Sequence, residues 1–446
     1  MGTEELYGLY LESGCKVSTD SRNIPQGAIF FALRGESFDG NDYALKALEA
    51  GASRAVVNAD AALPDDARLI RVADPFTALQ ELAVWHRTHL RTPQGQPLPV
   101  IGLTGTNGKT TTKELIAAAL GAKYKVAATK GNLNNDIGVP LTLLSILPGT
   151  EIAVVEMGAN HPDDIAKLVK VSQPDFGYIT NIGKAHLQGF GSYEGVLAAK
   201  TELYKWLGSR RGSVIFLNGG HADLARVASA QPCHSWEWSR ESLGVEILPA
   251  TADNPFLALS LILPGSEKRT EVHTKLVGSY NTDNVLAALA ISQYFGVPAG
   301  DAVAAVEAYT PSNQRSQLLR TGRNTVIVDA YNANPSSMGL ALDNLAALQY
   351  PRKLALLGDM RELGLDSVSE HAEILKKLSS YGIEAYLVGE EFGKALSGAS
   401  GCSVILGHFP DSDALAAYLA EHPVNGAAIL LKGSRGIRME KVLPEL

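Results

Sequence analysis

The segment IGLTGTNGKTTTKEL, residues 101–115, constrains the fold most strongly, because an apolar strand, a glycine-containing turn and a helical run follow one another without a gap. This order is the context of a phosphate-binding loop. The common form of that loop has a glycine five positions before Gly108, where this chain has Leu103, and the glycines present are Gly102 and Gly105. The segment therefore predicts a phosphate loop with unusual glycine spacing.

The residue types in this segment suit a nucleoside triphosphate held together with Mg²⁺. Backbone N–H groups at the start of a helix point at one spot and carry partial positive charge, which attracts phosphate. Lys109 can reach the β- and γ-phosphates, and Thr110 can offer its hydroxyl to Mg²⁺. The predicted nucleotide contacts in the loop are Gly105, Thr106, Asn107, Gly108, Lys109, Thr110 and Thr111.

Two other interpretations of the loop are a tight strand-to-helix turn whose lysine and threonine are merely solvated, and a GTPase-type switch. The strand and helix that flank the turn favour a phosphate loop over the first. The chain contains no N-K-x-D guanine-reading motif, which disfavours the second.

Composition and charge exclude several classes of function. The chain has 446 residues and a formal net charge of -8 at pH 7, and it lacks a Lys/Arg run, so nothing indicates a nucleic-acid partner. Its three cysteines, Cys15, Cys233 and Cys402, are scattered, which is typical of reduced thiols in the cytoplasm. The start of the chain does not resemble a secretory signal, and no apolar run reaches about 18 residues. We therefore expect a cytoplasmic protein without a membrane span.

Strand-like runs alternate with helical runs along the chain, which predicts an α/β fold with parallel sheets. A Pro/Gln/Gly-containing linker, RTPQGQPLP, and a helix that stops before Pro311 divide the chain. The predicted units are a small α/β domain over 1–82, a central P-loop domain with a β-rich patch over 83–310, and a further α/β domain over 311–446. The last unit has no G-x-G-x-x-G after a strand, which disfavours bound NAD.

Three polar residues stand out near the loop. Glu156 ends the strand EIAVVEMG, and a carboxylate at that strand end can bind Mg²⁺. His186 also follows a strand end, where a metal or phosphate contact and a structural role are both open. Lys200 has apolar helical neighbours, where a lysine normally extends along the surface to solvent.

Segments along nearly the whole chain resemble the Mur ligase family. They are LTGTNGKTTT, GNLNNDIGVPLTLL, VVEMGANHPDDI, TNIGKAHLQGFGS, AAKTELY, VGSYNTDNVLAALA, VDAYNANPSSM, LGDMRELG and KGSRGIRMEKV. The resemblance implies an N-terminal domain for a UDP-linked substrate, a central ATPase and a C-terminal Rossmann-like domain. The segments NLNND, YNANPSSM and LGDMREL are similar to those of the member that adds D-Ala-D-Ala to UDP-N-acetylmuramoyl-tripeptide, using ATP and Mg²⁺. We expect this chain to act as a monomer.

The resemblance assigns roles residue by residue. It implies that Thr110 and Glu156 bind one Mg²⁺, and that His186 and Lys200 bind another. Lys200 would be carbamylated by CO₂, because a carbamate offers a hard cation an anionic oxygen, whereas an ammonium repels it. The implied catalytic residues are Lys109, Lys200, His186 and Arg315.

Substrate contacts are implied in the same way. The nucleotide contacts beyond the loop are Asn281 for the adenine, Asp329 for the ribose and Arg315 for the γ-phosphate. The contacts of the UDP-linked substrate are Ser21, Arg22, Asn134 and Asn135. The contacts of the dipeptide are Asn332, Asn334, Ser434 and Arg435.

The implied reaction passes through an acyl phosphate, which open water would hydrolyse. We therefore expect the domains to close over it, with hinges near 93–99 and 310–313.

Some positions of this chain differ from the residues that are usual in the family. Tyr280 and Asn41 stand where histidine is usual, and Val328-Asp329-Ala330 stands where Asp-Asp-Ser is common.

The alternatives are the sister ligase that adds the third residue, folylpolyglutamate synthetase, and a non-catalytic P-loop switch. This chain has NANPSS where the sister ligase has D-N-P-x, which favours the dipeptide ligase. A switch has no need of the Asn-rich segment in the last domain, which disfavours that alternative. The third residue of the tripeptide, L-Lys or meso-diaminopimelate, stays open.

Overall fold

The computed structural model describes residues 1–251, 254–263, 266–312, 314–398 and 402–446. One residue of the expected second hinge, Asn313, lies outside these ranges. Across them, the helices are too short or too polar to cross a bilayer.

The N-terminal part is a four-stranded parallel sheet in the order β1-β2-β3-β4 with helices against it. Its elements are α1 (Thr3–Glu12), β1 (Val17–Ser18), β2 (Ile29–Phe31), α2 (Ala44–Glu49), β3 (Arg54–Asn58), β4 (Leu69–Val72) and α3 (Pro75–His89). Asp74 caps α3 by accepting from the N–H groups of Phe76 and Thr77, and Pro75 opens the helix. The predicted boundary between residues 82 and 83 falls inside α3, which runs on without a break.

The central part holds a six-stranded parallel sheet in the order β10-β9-β8-β5-β7-β6, and an antiparallel sheet in the order β11-β12-β13. Its strands are β5 (Val100–Thr104), β6 (Val126–Ala128), β7 (Ile152–Glu156), β8 (Phe176–Ile179), β9 (Val214–Asn218), β10 (His234–Trp238), β11 (Glu246–Leu248), β12 (Phe256–Ile262) and β13 (Arg269–Val277). Its helices are α4 (Lys109–Gly121), α5 (Gly138–Leu144), α6 (Asp164–Ser172), α7 (Leu187–Phe190), α8 (Tyr193–Lys200), α9 (Glu202–Gly208), α10 (Ala222–Ser229), α11 (Thr282–Tyr294) and α12 (Ala299–Ala308). The β-rich patch of the sequence is the antiparallel sheet.

The C-terminal part is a six-stranded sheet in the order β14-β15-β19-β16-β17-β18, parallel except for β14. Its elements are β14 (Gln317–Arg320), β15 (Thr325–Asp329), α13 (Pro335–Ala347), β16 (Lys353–Gly358), α14 (Ser367–Tyr381), β17 (Glu384–Val388), α15 (Glu390–Ser397), β18 (Ile405–Phe409), α16 (Ser412–Glu421) and β19 (Ala428–Lys432). The α/β class with parallel sheets is thereby confirmed.

Two helix predictions differ from the structure. The hydrophobic pattern of SYEGVLAAKTELYKWL, residues 192–207, predicts one helix, but α8 ends at Lys200 and α9 begins at Glu202. The pattern of RMEKVLPEL, residues 438–446, predicts an α-helix, and this prediction is wrong, because Met439–Glu445 forms a 3₁₀ helix that contains Pro444. Proline has no N–H to donate within an α-helix.

The phosphate-loop helix is held by a continuous apolar core. Residues of α4, including Leu115, Ile116 and Leu120, pack with Val285 and Leu289 of α11 beneath the central sheet. All five residues of β5 and of β7 are buried. The loop between β5 and α4 therefore stands on a rigid base at the carboxyl edge of the sheet, where ligands of α/β proteins bind.

Candidate functional site

A cavity of about 490 Å³ lies where carboxyl ends of the central strands meet carboxyl ends of the C-terminal strands. Glu156 at the end of β7 and Asp329 at the end of β15 both line it. Residues predicted from the sequence that line it are Thr106, Asn107, Gly108, Lys109, Thr110, Thr111, Asn134, Glu156, His186, Asn281, Arg315, Asp329, Asn332 and Asn334. The fold thus brings most of the predicted nucleotide and metal residues together.

Glycine is required at two points of the loop. Gly105 and Gly108 have φ values of 145° and 76°, in the region that L side chains rarely adopt. A Cβ on Gly105 would collide with Thr180 Oγ1, and one on Gly108 would lie 2.6 Å from Asn284 Oδ1. The shifted glycine spacing of the sequence is therefore matched by the local packing.

Lys109 folds back over its own loop. Its Nζ donates to the carbonyl oxygens of Gly105, at 2.8 Å, and Thr106, at 3.0 Å. Burial lowers the pKa of Lys109 to about 8, the charge of Glu156 opposes that shift, and the charge of Arg315 adds to it. Because both acceptors are neutral carbonyl oxygens, the positive charge remains available to an anion in the cavity.

Glu156 has one hydrogen-bonded and one unpaired carboxylate oxygen among the described residues. Its Oε1 accepts from Thr110 Oγ1 at 3.1 Å and from Asn134 Nδ2 at 2.8 Å. Its Oε2 is buried and has no hydrogen-bond partner among the described residues. An orphaned anionic oxygen beside a threonine hydroxyl fits a hard divalent cation, which prefers such oxygens.

The second predicted metal pair is arranged differently. His186 lines the cavity, and its Nδ1 pairs with the carboxylate of Glu362 in the C-terminal domain. Lys200 lies behind the cavity wall, where its Nζ donates to the carbonyl oxygen of Ala159 at 3.0 Å. Burial lowers the pKa of Lys200 well below its usual value, which favours a neutral amine. Among the described residues, no group of three or more His, Cys, Asp or Glu side chains forms a ready metal site.

The C-terminal domain contributes charge and a direct contact with the loop. Arg315 stacks over Tyr331, with its guanidinium carbon 3.7 Å from the ring centroid. Asp329 accepts from Lys432 Nζ, so its carboxylate is already held by a buried cation. Asn334 caps α13 and also donates to Asn107 Oδ1 at 2.8 Å, which docks this domain on the phosphate loop.

At the other end of the cavity, the side chain of Asn281 is engaged within the protein. It donates to the carbonyl oxygen of Val277 at 2.9 Å and to Ser316 Oγ at 3.1 Å. The expected adenine contact of Asn281 stays a prediction. Sequence reasoning missed the pair beside it, in which Arg240 donates to both carboxylate oxygens of Asp283, at 2.8 and 2.9 Å. No sequence signal links two residues 43 positions apart.

Several predicted residues lie outside the cavity lining. Gly105 and Lys200 do not line the cavity. Asn135 Oδ1 instead accepts from the N–H of Gly138 at 2.8 Å, and Ser434 Oγ accepts from the N–H of Arg361 at 2.9 Å. Ser21 and Arg22 lie in the turn between β1 and β2, where Arg22 pairs with Asp20 in solvent. Arg435 lines an adjoining chamber together with Arg315 and Tyr331. The structure therefore groups most of the predicted nucleotide residues, whereas Asn134 alone of the residues expected at the UDP-linked substrate lines this cavity.

The fold and the cavity define a three-domain protein of the P-loop nucleotide-binding class. Models of three Mur ligase domains match the chain in order: the Mur ligase family catalytic domain over 16–86, the middle domain over 103–292, and the glutamate ligase domain over 314–435. The chain belongs to the Mur ligase family.

Relatives match along almost the full length. A UDP-N-acetylmuramoyl-tripeptide–D-alanyl-D-alanine ligase of Bacillus subtilis is 33% identical over 442 residues, which cover 96% of this chain and 92% of that protein. The crystal structure of MurF from Acinetobacter baumannii has a TM-score of 0.82 at 31% identity, and covers 97% of this chain and 93% of its own. MurF ligase from Thermotoga maritima in complex with ADP has a TM-score of 0.81 at 26% identity, with 96% of each chain covered. The resemblance stated from the sequence is thereby confirmed.

Proposed function

We propose that this protein is an ATP-dependent ligase that joins D-Ala-D-Ala to UDP-N-acetylmuramoyl-tripeptide and releases ADP and phosphate. The observation that carries the chemistry is that Lys109, Glu156 and Arg315, from two domains, line one cavity. The choice of substrates is supported by the Bacillus subtilis relative, which matches 96% of the chain and bears this activity in its name. This support favours the dipeptide ligase over the sister ligase, folylpolyglutamate synthetase and the non-catalytic switch.

The first step phosphorylates a carboxylate. A carboxylate oxygen of the tripeptide attacks the γ-phosphorus of ATP, the bond from that phosphorus to the bridging oxygen breaks, and ADP leaves. Both reactants are anions, so positive charge must lie between them. Lys109 would supply it from the loop, and Arg315 from the C-terminal domain.

The second step forms the amide. The amine nitrogen of D-Ala-D-Ala attacks the acyl carbon, the bond from that carbon to the phosphate oxygen breaks, and the nitrogen loses a proton to solvent. The acyl phosphate has to be shielded from water until the amine arrives. The C-terminal domain would provide this shielding. The contact of Asn334 with Asn107 supports this, because it joins the C-terminal domain to the phosphate loop. Asn332, on the same domain, would lie near the dipeptide.

Thr110 and Glu156 are the residues proposed to hold Mg²⁺. The buried, unpartnered Oε2 of Glu156 supports this, because a divalent cation would satisfy it. Bound there, the ion would neutralise phosphate charge during transfer.

Lys200 is proposed to become a carbamate that, with His186, holds a second cation. The amine nitrogen would bond to the carbon of CO₂ and lose a proton, which requires the neutral amine that burial favours. The Nζ lies 3.0 Å from the carbonyl oxygen of Ala159, itself a lining residue, so a group added to it is close to the cavity.

The UDP-linked end of the substrate is assigned to Ser21, Arg22, Asn134 and Asn135. Arg22 is exposed and paired only with its neighbour Asp20 among the described residues, so a diphosphate could replace that partner. Asp329 would face the ribose beside Lys432. We place the reaction in the cytoplasm, where ATP and UDP-linked precursors are found.

An assay of ADP release tests the proposal. Purified protein would receive ATP, Mg²⁺ and UDP-N-acetylmuramoyl-tripeptide ending in L-Lys or in meso-diaminopimelate, each with and without D-Ala-D-Ala. We expect sustained ADP release only with the dipeptide, and a product heavier by its added mass. Lys109→Ala should abolish turnover. Nucleotide binding without ADP release would indicate the switch, and ADP release with glutamate and folate would indicate a folylpolyglutamate synthetase.

A further inference from the structure

Tyr280, which stands where histidine is usual in the family, reaches across the junction between two domains. It follows β13 of the central domain, and its ring lies against the backbone of Gly278. Gly278 has a φ of 97°, and a Cβ added there would lie 2.3 Å from that ring. The Tyr280 hydroxyl oxygen lies 3.0 Å from Ser316 Oγ, so the two hydroxyls form a hydrogen bond. Ser316 directly precedes β14, the first strand of the C-terminal sheet.

Ser316 is buried and is bonded to the central domain at three points. Besides its bond with the Tyr280 hydroxyl, its Oγ accepts from Asn281 Nδ2 at 3.1 Å. Its carbonyl oxygen accepts from the N–H of Val277 at 3.3 Å. The segment that leads into the C-terminal sheet is therefore fastened to the central domain at this residue.

Fixing Ser316 also fixes the direction of the arginine that precedes it. Gln314 and Ser316 have φ values of 52° and 49°, in the left-handed region that residues other than glycine rarely adopt. Such a backbone persists only where its surroundings hold it, and the three bonds at Ser316 do so. Arg315 Nε is buried and has no hydrogen-bond partner among the described residues. The backbone and the stacking on Tyr331, rather than a bond at this nitrogen, therefore direct the side chain.

We propose that Tyr280 and Ser316 are positioning residues, which hold Arg315 toward the site of the γ-phosphate. The proposal rests on the proposed function, which assigns Arg315 to that phosphate, and it identifies what keeps the arginine in place. Tyr280, Arg315 and Ser316 all line the main cavity, of about 490 Å³, together with the phosphate loop. Because the anchor belongs to the central domain, as the loop does, it sets the arginine relative to the bound phosphates.

Two nucleotides that differ by the γ-phosphate test the anchor. Calorimetric titrations in the presence of Mg²⁺ would compare a non-hydrolysable ATP analogue with ADP. Tyr280→Phe removes one hydroxyl, and we expect it to lower the affinity for the analogue about 2- to 10-fold, as for the loss of one hydrogen bond, and to leave the affinity for ADP unchanged. Ser316→Ala should show the same pattern. The double variant should lose less than the product of the two single losses, because the two residues share one bond.

Arg315→Met shows whether the anchor acts through the arginine. This variant should also lower the affinity for the ATP analogue and not that for ADP, and adding Tyr280→Phe to it should cause no further change. Tyr381→Phe is the matched control, because it removes an exposed hydroxyl that is bonded to Asp343 and does not line the cavity. It should bind both nucleotides as the native protein does.

An equal loss of affinity for the analogue and for ADP in Tyr280→Phe would mean that the residue supports the fold or another part of the nucleotide, and would overturn the proposal. Unchanged affinity for the analogue in Tyr280→Phe or in Arg315→Met, or a further loss when the two are combined, would do the same. The proposed function has a separate readout, because it fails only if the native protein releases no ADP with D-Ala-D-Ala.

Discussion

The guanidinium carbon of Arg315 lies 3.7 Å from the centroid of the Tyr331 ring. Gln314 and Ser316, on either side of the arginine, both have positive φ values, and Arg315 Nε is buried without a hydrogen-bond partner among the described residues. The ring and the unusual backbone together hold one positive charge at the wall shared by the main cavity and the adjoining chamber. This charge is stabilised by an aromatic face and remains free for an anionic substrate.

Replacing the ring should impair phosphoryl transfer. Tyr331→Leu removes the aromatic face, and we expect the rate of ADP formation in a single turnover to fall about 2- to 30-fold, as for the loss of about 0.5–2 kcal/mol. Tyr331→Phe keeps the face and should retain most of the rate. Equal rates for the Leu and Phe variants would show that the stacking does not position Arg315.

A methyl group at Gly108 should disable the loop. Gly108→Ala combines a φ of 76° with a Cβ 2.6 Å from Asn284 Oδ1, so the backbone has to shift and ATP binding should weaken. Gly121→Ala, at the end of the same helix with nothing within 4 Å of the added Cβ, is the control. We expect it to bind ATP normally and to be more stable by about 0.5–1 kcal/mol. Calorimetric titration with a non-hydrolysable ATP analogue and thermal denaturation measure the two effects, and normal ATP affinity in Gly108→Ala would contradict the prediction.

Lys200 should be essential for activity, and a small carboxylic acid should partly replace its proposed carbamate. Lys200→Ala removes the proposed carbamate, and we expect loss of ADP release that added formate or acetate partly restores, because either acid supplies an anionic oxygen. Lys205→Ala, an exposed lysine on α9, should be fully active without the acid. Absence of rescue in a variant that still folds and binds ATP would remove the support for a carbamate.

His86 should make stability depend on pH. It lies on α3 between Tyr7 and Tyr10, near His89, and its Nε2 is 3.0 Å from the carbonyl oxygen of Ile146. Burial lowers the pKa of His86, the carbonyl opposes this shift, and the charge of His89 adds to it.

The direction of this dependence of stability on pH follows from the unfolded chain, in which histidine has a pKa of about 6.5. The contribution of His86 is fully present above that pH and is lost as the pH falls toward the lower pKa of the folded state, because only the unfolded state gains the proton. The urea concentration at the midpoint of denaturation should therefore decrease as the pH is lowered from about 7 to about 5.5. His86→Gln should flatten the slope and His234→Gln, an exposed control, should not. The same slope in native protein and His86→Gln would assign the dependence to other groups.

The differences between the predicted and observed elements have local causes. The strand–turn–helix around Gly108 was predictable because its hydrophobic pattern and its glycines are contiguous in sequence. The 3₁₀ helix at Met439–Glu445 was not, since its amphipathic pattern resembles an α-helix and Pro444 near its end decides otherwise. The edge strand β18, which is only partly buried, has too weak an apolar pattern to be recognised.

The sequence by itself determined the class of fold, the phosphate loop and the acid at the end of β7, because each depends on residues within about one strand or one turn of one another. Only the tertiary structure placed Arg315 and Tyr331 against that loop. It also paired Arg240 with Asp283 and set Glu362 against His186. The physical reason is that these contacts join residues distant in sequence, or set them around a common space. Packing between helices, sheets and domains decides such contacts, and no local pattern encodes them.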